Sequence, residues 1–217
     1  MLAIMSPMPS DHVPSTSAAP GRAASPRAES TRLALLAAAR EEFAERGIAG
    51  ARVDRIARRA GVNKERIYGY FGSKEKLFDA VIETALDELV EVTALPGDDP
   101  AGWVGRMFDY YREHPDLARL LLWEGLYGRT ESLPEQRRRI AHCQDKIDSL
   151  AAHLGREPSH EIGRLLLTLI GLALIPLAFP QLAELFRTPV DGPEAAAEMR
   201  EHLTAFVRMA LANADFS

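Results

Sequence analysis

Eight basic side chains fall between Arg52 and Lys76: Arg52, Arg55, Arg58, Arg59, Lys64, Arg66, Lys74 and Lys76. Only Asp54, Glu65 and Glu75 oppose them, so the segment carries +5 while the whole chain carries −5. The remaining residues hold 18 basic and 28 acidic groups, a balance of −10, so charge is segregated along the chain rather than merely negative. A clustered positive segment is the chemistry of phosphate binding, and its planar guanidinium groups can also read base edges.

Those side chains need a frame, and the spacing supplies one. In Arg55-Ile56-Ala57-Arg58-Arg59-Ala60-Gly61-Val62-Asn63-Lys64-Glu65-Arg66-Ile67-Tyr68, a small Ala57 sits where two helices cross and Gly61 can take the left-handed turn conformation. Val62 and Ile67 plug the space between the helices, and Asn63 is an N-cap for the second of them. That second helix then presents Lys64, Glu65, Arg66 and Gly69 outward, toward the edge of a major groove, with Asn63 at its entry.

The elements around this motif read as helices. From Ser30, Leu35, Leu36, Ala39 and Phe43 share one helix face that Gly47 closes; Val53, Ile56, Ala57 and Ala60 make a short second helix. Ile67 and Phe71 are the buried side of the third, and Ser73 caps a fourth with the stripe Phe78, Ile82, Ala85, Leu89. No run of β-branched residues in period-two alternation appears, so the fold class is all-α.

From about Arg32 to Phe78 this pattern resembles the TetR family of transcription regulators. Phe43, Glu45-Arg46-Gly47, Val53, Ile56-Ala57, Ala60-Gly61-Val62, Ile67-Tyr68, Tyr70-Phe71 and Ser73-Lys74-Glu75 carry the resemblance. It implies a cytoplasmic homodimer with two helix-turn-helix heads on a palindromic DNA operator, and a variable C-terminal domain that binds a small-molecule effector and supplies the dimer interface. The resemblance makes Tyr68 and Tyr70 phosphate-contacting aromatics, with core packing as their alternative, and Lys74 and Lys76 phosphate anchors at a helix N-terminus. Two positions depart from it. Arg52 stands where the family commonly has a capping Ser or Thr, a loss of ~1 kcal/mol unless Arg52 binds the phosphate itself. Gly69 weakens the reading helix by roughly 1 kcal/mol relative to alanine and offers no side chain to a base.

The chain divides into three parts by composition. Residues 1–28 are rich in Pro, Ser and Ala and are expected to be a disordered, solvated tail, with a weak phosphate-touching arm carried by Arg22 and Arg27 as the alternative. Residues 29–95 form the head with its connecting helix, closed by Leu95-Pro96-Gly97-Asp98-Asp99-Pro100. Residues 96–217 read as a helical bundle with helices near 101–113, 116–128, 134–154, 158–178 and 193–213. Met107, Tyr110, Tyr111, Trp123 and Tyr127 are the effector-binding candidates, with ordinary core packing as the alternative. The helices 161–178 and 193–212 are the dimerisation candidates; packing within one subunit is the alternative.

Composition also excludes. Cys143 is the only cysteine, so no internal disulfide and no cysteine-based zinc site can form. His142, Cys143 and Asp145, and Glu157 with His160, read as solvated helix faces, so no metal and no cofactor is expected. The apolar run 165–182 is interrupted by Gly171, Pro176 and Pro180 and is expected to lie inside the protein or in a dimer contact rather than in a membrane. No G-x-S-x-G, G-x-G-x-x-G, P-loop or H-E-x-x-H motif occurs, which argues against an enzyme. A helical ligand-binding or scaffold protein with a vestigial DNA-binding head is the competing reading.

Overall fold

A computed structural model describes residues 26–127, 136–188 and 190–213. Their elements are all helical: α1 (Pro26–Gly50), α2 (Val53–Arg59), α3 (Lys64–Phe71), α4 (Lys74–Thr93), α5 (Pro100–Glu113), α6 (Pro115–Tyr127), α7 (Gln136–His153), α8 (His160–Ala178), α9 (Pro180–Leu185) and α10 (Pro193–Ala212).

The first helix starts earlier than its apolar pattern. Residues 26–28, expected in the tail, already belong to α1, because the helix needs no buried face in its first turn and Glu29 suits the positive end of its dipole. Arg27 therefore sits on a helix, while Arg22 and the rest of 1–25 lie outside the described residues. At its other end α1 breaks at Gly47, whose φ of 63° and ψ of 175° only glycine adopts freely, and one more turn reaches Gly50.

Two apolar cores organise the molecule. The head core gathers Leu35, Ala39 and Phe43 of α1, Ile56 of α2, Ile67 of α3 and Leu77, Phe78, Val81 and Ile82 of α4. Phe43 and Phe78 meet edge to face at 5.1 Å, an arrangement favoured by the ring quadrupoles. The body core gathers Trp103, Val104, Met107, Phe108, Tyr110 and Tyr111 of α5 with Leu117, Leu150, Ile162, Leu166, Leu169, Leu203 and Val207. α4 serves both, since Ala85 and Leu89 one and two turns past Ile82 join the body core.

The turn after α4 closes the head in sequence but not in space. Leu120 of α6 is fully buried in the head core rather than the body core. Nearby, Asp116 accepts a hydrogen bond from Arg40 Nε, and Trp123 lies over Gly47. Asp116, Leu120 and Trp123 follow an i, i+4, i+7 spacing, so one stripe of α6 runs along the α1 stripe Arg40, Phe43, Gly47.

α8 is 19 residues long with a mean hydropathy of 1.8, enough to cross a membrane by length and composition alone. Only 22% of that apolar window is buried, and Leu167 and Ile175 are 70% and 49% exposed. Pro176 lies inside α8 and gives no N–H to its ladder, yet the helix continues two residues past it. The short α9 was not expected: the apolar run continues through it, and only the non-helical Phe179 (φ −128°, ψ 64°) separates the two.

Candidate nucleic-acid interface

The motif closes as a helix-turn-helix through backbone hydrogen bonds. Ala60 N–H donates to Ile56 O at 2.9 Å and Val62 N–H donates to Ala57 O at 3.0 Å, while Gly61 takes φ +69° to make the turn. Asn63 caps α3 as its position suggests, its side chain accepting from Arg66 N–H at 3.2 Å. Ser73 caps α4 in the same way, accepting from Lys76 N–H at 3.1 Å. Each helix start has early backbone N–H groups and a positive dipole end, beside Lys64 in α3 and beside Lys74 and Lys76 in α4.

The reading helix is anchored by one residue. Ile67 is fully buried, which stabilises the docking of α3 by about 2 kcal/mol, while Lys64, Glu65, Arg66, Tyr68 and Gly69 are exposed. Lys64 faces outward as expected but ion-pairs with Asp54 of α2 at 3.4 Å; both are exposed, so the pair is weak and exchangeable. Tyr68 is 48% exposed. Tyr70, 37% exposed, is not wholly free: its hydroxyl donates to the Ala28 carbonyl at 3.1 Å, tying the end of α3 to the start of α1.

α2 lacks a side-chain cap, as Arg52 implied, and the structure replaces it from another helix. Glu42, buried on α1, accepts the Arg52 backbone N–H at 3.0 Å and Arg55 Nε at 2.7 Å. Burial pushes this carboxyl up, but the hydrogen bonds from Arg55 and Arg52 and the charges of Arg55 and Arg46 outweigh it, so its pKa lies below the usual carboxylate value. Sequence reasoning missed Glu42. The available signal was an acidic residue three positions after Ala39, on the apolar side of α1. Arg55 is thereby committed to structure, and Arg59 pairs with Glu41 at 3.0 Å.

The expected effector residues do not come together around one of the described cavities. Met107, Tyr110 and Tyr111 are 2–5% exposed within the body core, and burial raises the Tyr111 hydroxyl to about 12. Tyr110 donates toward Glu88 at 3.3 Å and stacks on His114 at 4.2 Å. Trp123 and Tyr127 lie half-exposed along α6. A cavity of about 740 Å³ lies elsewhere, between α8 and α10, with Leu172, Pro176, Met199 and Leu203 in its walls.

A helix-turn-helix head with capped α3 and α4, on an all-helical body, defines the class of bacterial DNA-binding regulators. Residues 35–81 match the bacterial regulatory proteins of the tetR family, and residues 99–209 match the tetracyclin repressor-like C-terminal domain. The HTH-type transcriptional repressor SCO4008 of Streptomyces coelicolor is 44% identical over 119 residues, which is 55% of this chain and 62% of that protein. The HTH-type transcriptional repressor NicS of Pseudomonas putida is 36% identical over 108 residues, 46% of this chain and 51% of that one. The matched stretch thus spans less than two thirds of these curated relatives. The crystal structure of SCO4942 from Streptomyces coelicolor superposes with a TM-score of 0.65 at 37% identity, covering 82% of this chain and 97% of the other. The chain belongs to the tetR family.

Proposed function

We propose that this protein is a transcriptional repressor that binds a palindromic operator as a homodimer, with one α3 in each of two successive major grooves, and is released by a small-molecule effector. The observation that carries the reading is the head's division of labour. Ile67 fixes α3 from behind, Asn63 and Ser73 fix the two helix starts, and the opposite surface displays Arg66, Tyr68 and the amino-terminal turn of α4 with Lys74 and Lys76. In this reading Arg52, at the uncapped entry of α2, contributes a further phosphate contact.

The dimer is supported by what α8 and α10 leave open. Leu167 and Ile175 on α8 and Phe206 and Met209 on α10 are 42–70% exposed, and Ile175 also lines the 740 Å³ cavity between the two helices. Gly171 faces empty space, which allows a second helix backbone to come close. Large apolar side chains exposed on two neighbouring helices are what a subunit contact would cover. The effector enters from the family resemblance; among the expected effector-binding residues, Trp123 and Tyr127 are the reachable ones. The site of action is the cytoplasm, where the operator is.

The test is titration of the full chain with duplex DNA from upstream of its own gene at two salt concentrations, beside a Lys74→Ala, Lys76→Ala variant. Tight binding by wild type, with a salt slope that is shallower in the variant by roughly 0.9 for each phosphate it no longer neutralises, supports the reading. Failure to bind any duplex at low salt, with the fold intact by circular dichroism, refutes it.

A further inference from the structure

The reading helix carries a hollow on the side that faces outward. On a helix advancing about 100° per residue, Glu65 and Gly69 each stand about 160° from the buried Ile67, one on either side. They therefore form the outermost ridge of α3, flanked by Arg66 and Tyr68. A Cβ built on Gly69 meets no atom within 4 Å. Gly69 forms part of the floor of an open surface depression of about 520 Å³ bounded by Asn63, Glu65, Arg66 and Tyr70. Nothing in the fold explains the glycine: α3 is helical on both sides of it, its φ is not among the positive ones, and no neighbour crowds it. A mid-helix glycine costs about 1 kcal/mol relative to alanine, so the fold alone favours a larger residue here.

Resting on the operator-binding reading above, we propose that Gly69 is a specificity-determining position whose hollow receives the C5-methyl group of a thymine. The major-groove edge of a base pair carries one apolar protrusion, that methyl, beside its donors and acceptors. A methyl seated over Gly69 is covered by the aliphatic parts of Glu65 and Arg66 and the edge of Tyr70. The same seating brings the Glu65 carboxylate, an acceptor, against the amino group of a neighbouring cytosine or adenine, and the Arg66 guanidinium against guanine. Any side chain at position 69 would hold the helix off that methyl. The hollow thus reads thymine by fit, and the flanking charges read its neighbours.

The experiment begins with duplexes selected by the full-length protein from a randomised library, followed by replacement of each conserved thymine with deoxyuridine, which removes the methyl and nothing else. At one thymine per half-site, wild type should lose about fourfold in affinity, the worth of one buried methyl. Gly69→Ala should bind the thymine duplex more weakly than wild type and be insensitive to, or improved by, deoxyuridine at that same position. Equal weakening of Gly69→Ala on both duplexes, or wild-type affinity unchanged by every replacement, overturns the proposal while leaving operator binding in place. A library that yields no bound duplex at all overturns the operator reading, and this inference with it.

Discussion

The indole of Trp123 lies flat on Gly47: three of its ring carbons stand 2.7–2.9 Å from where a Cβ on that glycine would be. Gly47 is needed twice over, for its left-handed φ of 63° and for the missing Cβ that lets α6 approach α1.

Gly47→Ala should therefore cost about 3 kcal/mol, combining backbone strain with overpacking against the ring. Measured by urea unfolding, the same substitution in a Trp123→Ala background should cost only about 1–2 kcal/mol, because the steric part disappears and the strain stays. Equal costs in both backgrounds would show that the indole is not what the glycine accommodates.

Gly47 was legible as a helix end, but Trp123 above it was not, because sequence spacing relates residues within an element and says little about which elements meet. The same division runs through the whole chain. Asn63, Gly61 and Ser73 were readable because turns and caps are local. Met107, Tyr110 and Tyr111 carry the side chains of a pocket and of a core alike, and only packing distinguishes the two. α9 was hidden because a continuous apolar run has no period to mark the break at Phe179.

Arg40 joins three elements: it donates to Glu88 of α4 at 2.6 Å and to Asp116 of α6 from its own place on α1. Arg40→Met should lower stability by about 1–2 kcal/mol, less than a fully buried site would because both carboxylates remain partly solvated. Arg40→Lys should recover less than half of that loss, since the ammonium lacks the reach and fixed planar fork by which Arg40 meets Asp116 from Nε and Glu88 from Nη1. Full recovery in denaturant titrations would argue that charge alone, without geometry, is at work.

Glu42 makes the head sensitive to acid. Its folded pKa is depressed below the ordinary 4.5, so its contribution is fully present above that value and is lost as pH falls through the lower folded value. Wild type should thus lose stability below about pH 4.5, and Glu42→Gln should be about 2 kcal/mol less stable at neutral pH with a flatter acid limb. The comparison is a pair of thermal unfolding series across pH; parallel curves for the two proteins would remove Glu42 from the account.

Leu167→Glu and Ile175→Glu place charges on the open face of α8 without entering the core, given exposures of 70% and 49%. Each should leave the helical spectrum of the chain unchanged while shifting sedimentation from dimer to monomer. A dimer that survives both substitutions would move the subunit interface away from this face.

The burial of Leu120 among head residues changes what counts as a part of this molecule. A cut at the turn 95–100 follows the punctuation of the chain, yet it would strip α6 from the head and uncover Phe43, Ile82 and their neighbours. Hybrid regulators made by exchanging heads between relatives at that turn would inherit a mismatched wall at Leu120 and Trp123. The exchangeable cassette is the head together with the α1-facing stripe of α6, two stretches that are distant in sequence and have to be moved as one.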